Sequence, residues 1–194
     1  MKIRPAKKSD ILPLTGVLVR AFARDPALDW FFPDREKYLK KAPYFFSIHL
    51  KQKIRRSMVY TDSDLAGAAL WDPPGGMGLS RLERWEFRFY LHRMHGADYR
   101  RAMEGRKVLG QIRPAFPHWY LSILGVDPPF QGQGIGAGLL QPVFAVCERD
   151  NIPAFLETAH EKSLKFYLNL GFIKTGEFQL PDGPIMSTLL KKPA

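Results

Sequence analysis

The sequence predicts a single α+β domain, a mixed α/β arrangement of six to seven short strands with helices. Three observations lead there. The chain has 194 residues, the size of one domain. Its apolar residues switch repeatedly between a period of two and a period of three to four. A glycine-rich turn, Gln131 to Gly136, lies between a hydrophobic run and an amphipathic one, the usual setting of a strand that feeds a helix.

The elements follow in order. Residues 2–6 form a short first strand. Ser9 offers a cap to a helix whose apolar side is Ile11, Leu14, Leu18, Val19 and Phe22, and Asp25-Pro26 stops it. A second helix spans 34–51 with Tyr38, Leu39, Phe45 and Phe46 inward; Pro43 predicts a kink or a split. Strands at 57–61 and 65–71 are joined by Asp62-Ser63-Asp64. A long helical segment, 79–111, is expected to break near Gly96 and Gly105, with Leu82, Trp85 and Phe89 as its buried stripe. The strand 118–126 ends at Asp127-Pro128-Pro129. The helix after the glycines carries Ile135, Leu139, Val143 and Val146, and Pro142 predicts a kink in it. A strand at 153–158, a short helix capped by Ser163 and closed by Gly171, and strands at 172–179 and 185–190 complete the chain.

The glycine turn carries the clearest chemistry. Three glycines in six positions let backbone approach an anion, and the free N–H groups of a first helical turn attract it. The phosphorylated ligand is less obvious. Gly132, Gly134 and Ala137 satisfy a dinucleotide-binding fingerprint, with Glu157 near where a ribose-binding acid is sought. Two facts oppose that reading. In that motif the first glycine ends the strand, whereas here prolines intervene, and proline cannot donate to a sheet ladder. Only 36 residues follow Thr158, too few for the further βα units of a doubly wound sheet.

Gln131, Gly134 and Gly136 also fit Gln/Arg-x-x-Gly-x-Gly/Ala, which resembles the coenzyme A loop of the GNAT superfamily of N-acyltransferases. Leu121 to Pro128 resembles that family's central strand, and Lys165 to Phe172 its closing Tyr-x-x-x-Gly-Phe motif. The order of elements is similar as well. Trp119 to Gly136, Ala154 to Thr158, Phe166-Tyr167 and Pro181 to Pro184 are similar to puromycin N-acetyltransferase-like members. The resemblance implies a mostly antiparallel mixed sheet with a splayed central pair and helices on both faces. It implies one N-acetyltransferase domain over 1–194, with 1–116 mainly on the acceptor side and 117–191 on the acetyl-CoA side.

The resemblance also implies roles. Gln131, Gly132, Gln133, Gly134, Ile135 and Gly136 hold the pyrophosphate of acetyl-CoA, the co-substrate, and no metal is required. Leu124, Gly125 and Val126 hold the pantetheine arm, and an N–H near Leu124 serves the oxyanion. Tyr167 protonates the departing thiolate; the alternative is that its ring only packs beside the sulfur. Glu157 is a candidate base, directly or through water, although it could equally satisfy a neighbouring group. Many members carry an Asn that contacts the cofactor seven residues before the tyrosine, and His160 stands there instead.

The expected reaction is direct acetyl transfer, in a ternary complex, to a primary amine of a small molecule. Acetylation of a protein N-terminus or lysine, and a non-catalytic acyl-CoA-binding module, are the alternatives. Phe22, Trp30, Phe31 and Phe32, with Trp71 and Trp85, suggest an aromatic acceptor pocket rather than a polyamine site. The net charge of +10 favours anionic ligands. Residues 79–113 hold nine Arg or Lys against four acids, a net of +5, read as a solvated helix face or as steering toward the cleft. No nucleic-acid motif accompanies the charge, and no apolar run suits a signal peptide or membrane span. The one cysteine, Cys147, is read as a buried small residue, and its solitude suits a reducing cytoplasm. His92 and His95, three apart, are read as a solvated pair for want of a third ligand. A monomer or a homodimer is expected.

Overall fold

The computed structural model describes residues 1–76, 78, 80–95 and 99–193, and the side chains of these except 86, 87, 90, 91 and 93–95. Its centre is one seven-stranded sheet of order β1 (Ile3–Pro5), β2 (Val59–Asp62), β3 (Gly67–Asp72), β4 (Trp119–Val126), β5 (Ala154–Thr158), β7 (Ile185–Lys191), β6 (Ile173–Gln179). Every neighbouring pair is antiparallel except β4 and β5. That parallel pair meets only at Trp119–Ala154 and Tyr120–Phe155. Beyond those two positions the strands part, so the sheet splays at its middle.

Helices cover both faces. On one lie α1 (Ile11–Ala21), α2 (Pro26–Phe31) and α3 (Arg35–Ile54), whose Leu14, Leu18, Phe46 and Leu50 pack on Ala68, Leu70 and Ile123 of the sheet. On the other lie α6 (Ile135–Asp150) and α7 (Glu161–Asn169), packed on Ala69, Trp71, Leu121 and Leu156. Alternate residues of β3 enter the two cores in turn, as the period-two geometry of a strand requires. The strand is buried on both faces, and so it reads as an unbroken apolar run.

Several expectations are corrected. Asp25-Pro26 does not simply end a helix; it starts another. Asp25 Oδ1 accepts from the N–H groups of Ala27 and Leu28, both at 3.0 Å, and proline occupies the first helical position, where no N–H is needed. Neither Pro43 nor Pro142 splits its helix. Gly105 does not interrupt α5 (Tyr99–Gln111): it lies inside, where a Cβ would meet the Trp30 ring at 2.6 Å. The glycine is there for close approach, not as a breaker. The expected break near Gly96 lies outside the described residues.

The expected buried stripe of α4 (Arg81–His95) is exposed: Leu82 and Trp85 are each 64% accessible and Phe89 52%. Trp85 and Phe89 stack on each other in solvent, 5.8 Å apart and nearly parallel. Helical spacing identifies one face of a helix but not which face is covered. What ties the start of α4 down is polar, the Arg56–Glu83 ion pair at 2.8 Å.

Candidate active site

The strand β4 carries the site, and one irregularity sets its geometry. Trp119 N–H donates to Pro153 O, on the β5 side, at 2.8 Å. Asp127 N–H donates to Ala66 O, on the β3 side, at 2.8 Å. Eight residues apart on a regular strand, both would face the same way. The bulge opposite Leu70 and Trp71 inserts one residue of β4, Ser122, and reverses the alternation. Ser122 Oγ donates to Leu70 O at 3.0 Å. The main-chain groups of Leu124 and Val126 therefore face the open side of the splay. Gly125 turns its own toward β3, and its missing side chain lets Leu18 of α1 lie close, where a Cβ would meet Cδ2 at 2.7 Å.

At the far end of β4 the chain makes a short 3-10 turn at Pro128–Phe130 and then the glycine loop. Asp127, buried, accepts a two-pronged pair from Arg20 of α1, with Nη2 to Oδ2 at 2.6 Å, which fixes the loop's root. Gln131 Nε2 donates to Val126 O at 2.9 Å. Gly132 and Gly134 take φ of +77° and +79°, a conformation that a side chain disfavours. Gly134 stands at the N-cap of α6, with no side chain to cap the helix and no acid in its first turn. The first bond within that helix end is Gly138 N–H to Gly134 O, so the N–H groups of Ile135, Gly136 and Ala137 have no partner in the helix. An exposed helix start, uncapped, with a glycine cradle before it, fits a diphosphate.

α7 sits against this helix start: a Cβ on Gly136 would meet Phe166 Cζ at 3.3 Å. Next in sequence, Tyr167 is buried between Phe166 and Phe172, with ring centroids at 5.1 and 5.5 Å. Its surroundings push its phenol well above the ordinary tyrosine range, burial first, then the carboxylates of Asp25 and Glu157. The cap of α7 is not Ser163 as expected but His160, whose Nδ1 accepts from Lys162 N–H at 3.2 Å.

Tyr167, Glu157 and Leu124 line one cavity of about 450 Å³, between the splay of β4 and the helices α1, α2, α3 and α5. One wall is aromatic: Phe22, Phe31, Phe32, Phe45 and Phe46. The other aromatic candidates lie elsewhere. Trp71 faces the opposite core against Phe144, Trp30 packs with Leu180 and Met186 and donates Nε1 to Pro181 O at 2.8 Å, and Trp85 is exposed. The opposite wall is polar. Tyr120 Oη donates to Glu157 Oε1 in a short hydrogen bond, while Glu157 Oε2 is sealed from solvent with no hydrogen-bond partner among the described residues. Loss of hydration pushes the Glu157 carboxyl up to about 7, against the opposing pull of Tyr120 and Arg113. Lys53 donates to Trp71 O at 3.3 Å and pairs with Asp72, yet burial holds its ammonium below the ordinary lysine range. His49, whose Nδ1 lies 2.7 Å from Phe45 O, is held neutral, its pKa pulled down to about 3 by burial.

The sequence singles out Tyr167, Glu157 and the glycines, and the structure puts the first two on one cavity and the glycines at the start of α6. The sequence gives no role to Tyr120, Lys53, Asp72, Arg106 or Arg113, which come from three distant segments. Among the described residues no three His, Cys, Asp or Glu converge as a metal site would require, and no helix is long and apolar enough to cross a membrane. Cys147 is buried in the α6 core, its thiol pushed up to about 11 by burial.

The splayed sheet, the uncapped helix start and the half-open pocket lined by Tyr167 and Glu157 mark out an acyl-CoA-dependent transferase. Residues 83–188, over half the chain, match the acetyltransferase (GNAT) domain model, and the chain belongs to this family. It is accordingly an acetyl-CoA-dependent N-acetyltransferase. It is 25% identical over 189 residues to an uncharacterized N-acetyltransferase of Schizosaccharomyces pombe, covering 89% of this chain and 74% of that protein. It is 29% identical over 100 residues to human N-alpha-acetyltransferase 30, covering 46% of this chain but 27% of that protein. The fold is shared with a Corynebacterium glutamicum histone acetyltransferase HPA2 and related acetyltransferase, at TM-score 0.70 and 24% identity over 100% of this chain and 96% of that one. It is shared too with a Drosophila melanogaster polyamine N-acetyltransferase, at TM-score 0.68 and 12% identity over 98% of this chain and 99% of that one.

Proposed function

We propose that the protein transfers the acetyl group of acetyl-CoA directly to a primary amine of a small molecule, within a ternary complex. The observation that carries this reading is the half-open cavity, about 450 Å³, on which Tyr167, Glu157 and the open edge of β4 converge. In this reading the amides from Gln133 to Gly136 hold the pyrophosphate, and Leu124 and Val126 pair with the pantetheine arm as an added strand. Acetyl-CoA supplies the activated thioester.

The ammonium of the acceptor loses a proton to Glu157, directly or through water. A carboxylate with a pKa near 7 suits that task at neutral pH. The neutral amine attacks the carbonyl, and the Leu124 N–H stabilises the oxyanion. Collapse breaks the carbon–sulfur bond, and Tyr167, kept protonated by its surroundings, gives the thiolate its proton. The proton shed by the new amide nitrogen restores Tyr167 through solvent. No acyl-enzyme is required, since Cys147 is buried with its thiol protonated.

Acetylation of a protein N-terminus is a second reading, favoured by the likeness to N-alpha-acetyltransferase 30. The aromatic wall and the limited volume of the cavity favour a small acceptor over a polypeptide. The motif likeness adds a place near the puromycin N-acetyltransferase-like members, and the lone cysteine a cytoplasmic setting. The test is thiol release from acetyl-CoA over a library of small amines, with peptide N-termini alongside. Turnover of small amines supports the proposal; turnover of peptides alone overturns it, and coenzyme A binding with no turnover of any amine leaves a binding module.

A further inference from the structure

Two basic residues of segment 79–113 reach the cavity. Arg106 and Arg113 both line it at its polar end, Arg106 half-buried and Arg113 at the exposed rim. Arg113 stands over the Tyr120 ring, its guanidinium carbon 3.6 Å from the ring centroid. A guanidinium placed over a ring can still offer its N–H donors to a planar anion. Arg113 makes no hydrogen bond or ion pair among the described residues. Arg106 sits deeper, and burial together with the nearby charge of Arg113 holds its guanidinium below the ordinary arginine range.

The acids here offset this charge only in part: Asp72 also pairs with Lys53, and Glu157 is bound by Tyr120 and carries its own proton for part of the time at neutral pH. Two guanidinia on one cavity wall, Arg113 among them with no hydrogen bond or ion pair to the described residues, suit an anion. They are also in the wrong place for the pyrophosphate. Tyr120 is at the closed root of the splay, and the glycine loop begins beyond Val126. Six strand residues at roughly 3.3 Å each put about 20 Å between them.

We propose that the acceptor is an aromatic amine bearing a carboxylate, with the ring on the phenylalanine wall, the carboxylate on Arg113 and Arg106, and the amine toward Glu157. A planar carboxylate matches the two-pronged edge of a guanidinium. The same cations repel polyamines, which have no group to place there. This proposal rests on the reading of the cavity as the acceptor pocket.

The test compares matched pairs: phenethylamine against 4-(2-aminoethyl)benzoate, and tyramine against tyrosine. The acid of at least one pair is expected to exceed its neutral partner by about tenfold or more in kcat/KM. Arg113→Gln is expected to bring that ratio within about twofold, and Arg113→Lys to retain part of it. Calorimetry with 3-phenylpropanoate on the coenzyme A-loaded protein provides a readout independent of turnover. Binding lost in Arg113→Gln, with no turnover of any small amine, keeps the anion site and sinks the small-amine reading. Turnover of neutral amines with no acid preferred, and no binding of 3-phenylpropanoate, sinks the anion site and keeps the small-amine reading. Failure of both binding and turnover overturns both, and a preference unchanged in Arg113→Gln overturns the assignment to this arginine.

Discussion

Glu157→Gln should stabilise the protein in alkaline solution while disabling it. The parent carboxyl is moved from an ordinary 4.5 to about 7 because its Oε2 is sealed away without a partner. A shift of that size corresponds to about 3 kcal/mol between its two protonation states. Because the folded value is the higher one, the folded chain holds this proton more tightly than the unfolded chain. The benefit is complete below about 4.5 and is lost as pH rises through about 7. Glutamine keeps an Oε1 that accepts from Tyr120 and carries no charge at any pH. Urea unfolding of parent and variant at pH 5 and pH 8.5 should therefore give near-equal stabilities at the first. At the second, the variant should lead by up to about 3 kcal/mol. The same change should flatten the acidic limb of kcat/KM near pH 7 and lower the rate by about 100-fold or more. A stability difference that does not change with pH would refute the burial argument, and an unchanged limb would remove Glu157 from the mechanism.

Tyr167→Phe keeps the ring between Phe166 and Phe172 and deletes the proton, so turnover should fall while coenzyme A affinity holds; a rate within about twofold of the parent would reject the acid role. Gly134→Ala forces a Cβ onto a residue at φ +79°, costing about 1–2 kcal/mol of stability and weakening coenzyme A binding in a titration. Gly105→Ala places its methyl 2.6 Å from Trp30 and should lower stability by about 1–3 kcal/mol in thermal or urea unfolding; no loss would mean that the Trp30 ring yields freely.

What could be read from the sequence was whatever local chemistry dictates. Seven strands were legible from period-two runs and turn residues, and the glycine loop from its spacing. Asp25 was misread because the same Asp-Pro pair that ends one helix supplies the cap and first residue of another. Trp85 and Phe89 were misplaced because periodicity is blind to which side a neighbour covers. The polar wall was hidden for a different reason. Lys53, Asp72, Arg113 and Glu157 meet only because the sheet brings α3, β3, the segment after α5 and β5 together, and no spacing along the chain encodes that meeting. The bulge at Ser122, which aims Leu124 and Val126 at the open edge, likewise exists only in the pairing of β4 with β3.

Isothermal titration of the intact protein with coenzyme A, repeated on Gly134→Ala and in competition with acetyl-CoA, bears most directly on the uncapped start of α6. Saturable one-site binding, displaced by the acetylated form and weakened by the substitution, is the predicted result. Heat indistinguishable from dilution, or equal affinity in the Gly134 variant, would contradict it.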